Sequence, residues 1–171
     1  MPSRRRTRVM HRVRFARVNS CSHIRSTRHP LRRSVRVTSR SRVLFPVSFL
    51  SQNARLFAGQ KVWAIFEPRS NTTRRNVFQQ ELALSFADAD AVIVSQVAKL
   101  EQLKAEERLN PEQLMKDIQS LGKPTAYLAD VDAIVEHIAK NVQGGDVVCV
   151  FSNGGFGNIH ARLLDRLNGR R

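Results

Sequence analysis

Apolar and polar positions follow two different regimes along the chain. Residues 1–55 show no sustained helical or strand period, whereas from Leu56 onward short apolar runs alternate with stretches whose apolar residues fall three and four apart. K-V-W-A-I-F (61–66) is a continuous apolar run of the kind that suits a strand buried on both faces. Residues 74–87 then place Val77, Phe78, Leu82 and Phe86 at helical spacing, with Asn71, Thr72 or Thr73 available as a cap. A-V-I-V (91–94) predicts a second strand, and residues 95–109 a loop with a helical portion. Asn110 and Pro111 open a further helix with Leu114 and Ile118 on one face, and Gly122 ends it. P-T-A-Y-L-A (124–129) is a third strand, and the next helix carries Val131, Ile134, Val135, Ile138 and Val142 on one stripe. D-V-V-C-V-F (146–151) is a fourth strand, followed by the loop S-N-G-G-F-G and a last helix with Ile159, Leu163, Leu164 and Leu167. Strand and helix alternate four times. The expected class is therefore α/β, a Rossmann-like, mostly parallel sheet with flanking helices, joined by right-handed crossovers.

Open parallel sheets receive ligands where the carboxyl ends of their strands meet the strand-to-helix loops. Two of these loops have unusual compositions: E-P-R-S-N-T-T-R-R after the first strand and S-N-G-G-F-G after the fourth. If those strands are neighbours, both loops edge one crevice. Arg69 offers a planar fork of donors that matches a carboxylate or phosphate, and Ser70, Asn71 and Thr72 add small donors and acceptors beside a helix start. Two readings stay open: an anion receptor, or a surface turn in which Arg69 pairs with Glu67 or another acid while S-N-T-T caps the helix. Arg74 and Arg75 are open to a solvated or a ligand-facing role. Gly154, Gly155 and Gly157 permit close approach of backbone to a ligand, although a glycine turn after a strand is as readily structural. The spacing G-x-G-x-x-G is absent, as is G-x-x-x-x-G-K-[ST]. His137 and His160 have no Cys or His partner at metal-ligand spacing. Asp88, Asp90, Asp130 and Asp132 read as strand-edge and cap residues, and no catalytic dyad is assembled by motif.

Charge changes the picture mainly by its distribution. The formal net charge is +15, yet residues 1–60 hold fifteen arginines with no lysine, aspartate or glutamate, and the remainder of the 171 residues balances its charges. The basic part is expected to be a disordered arm, residues 1–55, ahead of a folded domain, residues 56–171. Three origins suit such an arm: a nucleic-acid-binding tail, an arginine- and serine-rich transit peptide, or an out-of-frame translation joined to a genuine coding region. Cys21 and Cys149 do not suggest a pair, and a reducing, cytoplasmic setting follows. No run approaches the length of a membrane span, so the folded part is expected to be soluble and away from membranes.

The residues V-W-A-I-F-E-P-R-S-N-T-T-R-R-N-V-F-Q-Q-E-L-A-L-S-F-A-D-A-D-A-V-I-V and V-V-C-V-F-S-N-G-G-F-G-N-I-H-A-R-L-L-D-R-L closely resemble the C-terminal domain of the Mur ligases, nearest to the peptidoglycan-recycling members that join a diaminopimelate-containing peptide to UDP-N-acetylmuramate. The resemblance covers roughly residues 56–171. It implies ATP- and Mg2+-dependent amide formation through an acyl phosphate, shared among three domains, with this one closing over the others and carrying the amino acid or peptide. In a diaminopimelate-adding relative the arginine of an N-P-R stretch holds a substrate carboxylate, and Arg69 occupies the matching position. By the same resemblance Asn153, Gly154 and Gly155 lie beside that ligand. The UDP-sugar domain, the phosphate loop and the His-His-Pro stretch of the family have no counterpart among the 171 residues. The expectation is a truncated or frameshifted gene product that binds peptide, uses no cofactor of its own and needs the missing ligase domains to act. The alternative is a basic-arm nucleic-acid-binding α/β module, which deletion of residues 1–55 would disable. A dinucleotide-binding domain is disfavoured by the glycine spacing.

Overall fold

The computed structural model describes residues 14–17, 36–40 and 59–169. Six strands form one sheet: β1 (Arg14–Arg17), β2 (Arg36–Arg40), β3 (Val62–Phe66), β4 (Ala91–Ser95), β5 (Thr125–Leu128) and β6 (Val147–Phe151). Their order is β1-β2-β6-β3-β4-β5, and every pairing is parallel. The four strands read from periodicity are β3 to β6. Two short stretches of the basic arm add β1 and β2, and the expectation of disorder for the rest of that arm lies outside the described residues.

Among the described residues four α-helices flank the sheet: α1 (Gln79–Leu84), α2 (Pro111–Ser120), α3 (Val131–Asn141) and α4 (Ile159–Asn168). β3, β4 and β6 are buried at every position, so alternate residues feed two separate cores. Val62, Ala64 and Phe66 pack with Leu82, Phe86, Leu114 and Ile118 of the α1/α2 layer. Trp63 and Ile65 pack with Ile134, Ile138, Ile159 and Leu163 of the α3/α4 layer. Strands buried on both faces explain why the sequence reads as unbroken apolar runs and not as alternation. Burial also pushes the Cys149 thiol of β6 up from 9.0 to about 12, which keeps it neutral and unreactive.

Caps follow the sequence closely at two helices. Asn110 Oδ1 accepts from the Gln113 amide at 3.0 Å, with Pro111 at the first position of α2, and Asp130 Oδ1 accepts from the Ala133 amide at 2.7 Å to open α3. At the amino ends of the strands, Asp90 accepts from the Val62 amide at 2.7 Å, while Asp146 accepts from Trp63 Nε1 at 3.0 Å and the Gln143 amide at 2.9 Å. α3 and α4 are tied by ion pairs from Arg162 to Asp132 and from Arg166 to Glu136.

The stretch after β3 departs from its pattern. A 3-10 turn (Asn76–Phe78) precedes a short α1, and none of Asn71, Thr72 and Thr73 caps it; α1 follows Phe78 without a side-chain cap. Leu82 and Phe86 are buried as expected, but Val77 is 66% exposed and Phe78 37%. A 3-10 turn advances each residue by about 120° where an α-helix advances about 100°, so Val77 and Phe78 rotate off the face that Leu82 occupies. Residues 95–109 hold two 3-10 turns, Leu100–Gln102 and Ala105–Glu107, in keeping with a loop that is helical in part.

Candidate functional site

The chain runs outward from β3 through β4 to β5, then crosses back beneath α3 to place β6 on the other side of β3. The connection after β3 leads to the α1/α2 layer and the connection after β6 to the α3/α4 layer. β3 and β6 are therefore neighbours whose exits part to opposite faces, which opens a crevice at their carboxyl ends. The two loops singled out by composition edge that crevice together.

Glu67 is the first residue beyond β3, and its amide donates to the Phe151 carbonyl at 2.9 Å, extending the β3–β6 ladder by one bond. Its side chain is only 9% exposed and lies between the loops. One carboxylate oxygen, Oε1, accepts from Arg69 Nη1 at 3.3 Å; the other, Oε2, accepts from the Ser152 hydroxyl. Ser152 Oγ in turn accepts from the Gly154 amide at 3.0 Å. A Cβ on Gly154 would stand 2.9 Å from Arg69 Nε and 3.0 Å from Arg69 Cδ, so the arginine lies across the bare backbone of the glycine loop. Arg69, Glu67, Ser152 and Gly154 thus form a closed ring that joins the two loops. The Arg69 side chain remains 50% exposed, and among the described residues Glu67 is its only acceptor. Arg69 thus makes the pair with Glu67 that the surface-turn reading named, and it leaves guanidinium donors turned to solvent.

The small polar residues divide. Ser70 and Thr73 bond reciprocally, with the Thr73 amide on Ser70 Oγ at 3.0 Å, the Ser70 amide on Thr73 Oγ1 at 3.1 Å and the two hydroxyls 2.8 Å apart. These bonds commit the Ser70 hydroxyl to the turn. Asn71 is exposed and Thr72 half-buried beside it. Arg74 and Arg75 are half-buried and bond to the loop after β4. Arg74 donates to the Lys99 carbonyl at 3.1 Å, and Arg75 pairs with Glu107. With the Leu109 amide on the Arg74 carbonyl at 2.9 Å, they fasten the turn to the loop after β4.

Across the crevice Asn153, Gly154 and Gly155 are exposed. A Cβ on Gly155 would meet nothing within 4 Å, in contrast to Gly154. Further on, Phe156, Gly157 and Asn158 take φ of 38°, 53° and 55°, three successive left-handed residues. Phe156 is buried in the α3/α4 core, and a Cβ on Gly157 would lie 3.0 Å from Val131 Cγ2. The loop is shaped by this anchored turn before α4 begins. Glu67 and Ser152 were not singled out as site residues from sequence; the available signal was an acid and a hydroxyl, each directly after a buried strand, at the ends of two adjacent strands.

Among the described residues there is no group of three or more His, Cys, Asp or Glu placed to hold a metal ion, and no helix long and apolar enough to cross a membrane.

Comparison with known proteins places this arrangement. The family described as "Mur ligase, glutamate ligase domain" matches residues 48–154. The UDP-N-acetylmuramate–L-alanyl-gamma-D-glutamyl-meso-2,6-diaminoheptandioate ligase of Escherichia coli K12 is 36% identical over 107 residues, covering 63% of this chain and 21% of the relative. Its Haemophilus influenzae counterpart is 33% identical over 113 residues, 64% of this chain and 22% of the relative. The chain therefore spans about a fifth of the length of these curated relatives. Among solved structures, a murein peptide ligase from Psychrobacter arcticus superposes with TM-score 0.61 at 29% identity, over 74% of this chain and 25% of that one. A domain described as that of a UDP-N-acetylmuramate:L-alanyl-gamma-D-glutamyl-diaminopimelate ligase from Haemophilus ducreyi gives 0.57 at 28% identity, over 79% of this chain and 93% of that one. A sheet with its crevice between β3 and β6, and a family match across well over half of the sequence, lead to one conclusion: the chain belongs to the Mur ligase family, as its glutamate ligase (C-terminal) domain.

Proposed function

We propose that this domain receives the peptide substrate of a peptidoglycan-recycling ligase, with Arg69 binding a peptide carboxylate in the crevice between β3 and β6. The observation that carries the reading is the placement of Arg69: one nitrogen is held by Glu67 at 3.3 Å, the side chain lies across Gly154, and half of it remains open. A guanidinium fixed at one end offers its other edge to a carboxylate with little further loss of rotamer freedom. Asn71 and Thr72 on one rim, and Asn153 and Gly155 on the other, line the approach, while Ser70 shapes the turn. The named relatives join UDP-N-acetylmuramate to an L-alanyl-gamma-D-glutamyl-diaminoheptandioate peptide, and that peptide is the ligand assigned to this crevice.

As it stands, the chain binds peptide without ligating it. Its 171 residues contain no phosphate-loop sequence, and holding one reactant is of no use to amide formation without the phosphoryl-transfer site. ATP and magnesium are assigned to domains of the complete ligase, and no residue here is given to either.

Calorimetric titration of the chain with L-alanyl-γ-D-glutamyl-meso-diaminopimelate tests the reading. Arg69→Lys replaces a planar fork by a point charge and is expected to weaken binding about tenfold, the loss of one charge-assisted hydrogen bond of roughly 1.5 kcal/mol. Unaltered affinity would remove Arg69 from the site.

A further inference from the structure

The ring that joins the two loops depends on one acid. Among the ring's four members Glu67 is the one whose side chain hydrogen-bonds to both Arg69 and Ser152: Oε1 takes Arg69 Nη1 at 3.3 Å and Oε2 takes the Ser152 hydroxyl. It is also the member set most firmly by the backbone, because its amide continues the β3–β6 ladder at the Phe151 carbonyl. Pro68 follows it, buried, and restricts the backbone through which Arg69 is presented. Ser152 likewise follows β6 directly and is braced by the Gly154 amide at 3.0 Å. A carboxyl group with so little exposure is costly to bury without hydrogen-bond partners, and its two oxygens find them in two different loops.

We propose that Glu67 is a positioning residue, which fixes the guanidinium of Arg69 across Gly154 and thereby sets the site for peptide carboxylate before the ligand arrives. The inference rests on the peptide-carboxylate reading for its purpose, but the geometry it asserts exists in the free protein. Without the Glu67 carboxylate, an arginine that is half exposed and has no other acceptor among the described residues swings through many rotamers. Glu67→Gln keeps the shape and removes the charge; Ser152→Ala removes only the brace on Oε2.

The test has two arms on the full chain. In the first, nitrogen-15 NMR of the arginine side chains follows rotation about the Arg69 Nε–Cζ bond without ligand. Slow rotation is expected in the parent and fast, averaged rotation in Glu67→Gln, with Ser152→Ala between them. Equal rotation in the parent and Glu67→Gln overturns the proposal, provided both unfold at the same temperature; if Glu67→Gln is unfolded, Ser152→Ala decides alone by the same criterion. In the second arm the peptide is titrated into Glu67→Gln, Arg69→Ala and the double variant. Each single change is expected to weaken binding, and the double variant to bind no more weakly than Arg69→Ala, because Glu67 acts through Arg69. Additive losses overturn the proposal. Restricted rotation that is lost in Glu67→Gln, with no peptide bound by any form, would leave Glu67 as the holder of Arg69 and reject the assignment of the peptide.

Discussion

Arg69 and Gly154 share a volume that only one of them can fill. A methyl group on Gly154 would sit 2.9 to 3.1 Å from Arg69 Nε, Cδ and Cζ, closer than real Cβ contacts allow, and the exposed guanidinium is the part able to move. Gly154→Ala is therefore expected to displace Arg69 from Glu67 and to weaken peptide binding several-fold, while the unfolding free energy changes by no more than about 0.5 kcal/mol. Gly155→Ala, with open space around it, is expected to leave both unchanged. Paired titrations and denaturant curves check the contrast, and equal behaviour of the two alanine variants would show that the close approach has no bearing on the ligand. At this scale the sequence was informative about type and silent about pairing. An arginine in a polar turn and a pair of glycines after a strand are visible as letters. That the arginine crosses one glycine and not the other depends on the register of two strands more than eighty residues apart.

Helices and loops show where local patterns succeed and where tertiary contacts replace them. Asn110 could be read as a cap because its bond to the Gln113 amide is local, three residues away. Asn71 had the same credentials and does not cap, because Ser70 and Thr73 bond to each other and Arg74 and Arg75 fasten the turn to the loop after β4, delaying the helix to Gln79. The two asparagines should separate in a stability measurement: Asn110→Ala is expected to cost about 1 kcal/mol, and Asn71→Ala, exposed and without a side-chain bond among the described residues, less than about 0.5 kcal/mol. Equal costs from urea denaturation would mean that Asn71 caps after all. The two arginines of the turn illustrate the same limit. Their partners, a carbonyl at Lys99 and the carboxylate of Glu107, are brought close only by the order of β3 and β4.

For the whole molecule, alternation of strands and helices was enough to give the class, and the neighbourhood of β3 and β6 followed from the way such sheets are wound. The part that periodicity could not supply was the far side of β6, where Arg36–Arg40 pairs in parallel from Val147 to Phe151. Charge and composition concealed that strand, since R-V-T-S-R has no apolar run. Its pairing has a consequence for how β6 communicates with each neighbour. The Val147 amide donates to the Lys61 carbonyl and the Phe151 carbonyl accepts from Glu67, so residues 147, 149 and 151 turn their peptide groups toward β3. In a parallel ladder the intervening residues turn theirs the other way; Val148 and Val150 face β2. Hydrogen–deuterium exchange along this one strand therefore reads two borders by parity. Thr38→Pro, which deletes a ladder donor from β2, is expected to hasten exchange at Val148 and Val150 alone. Slow exchange persisting at those two amides would mean that something other than β2 shields them. Odd positions report on the border with β3 that ends at Glu67, even positions on the border with the arginine-rich arm.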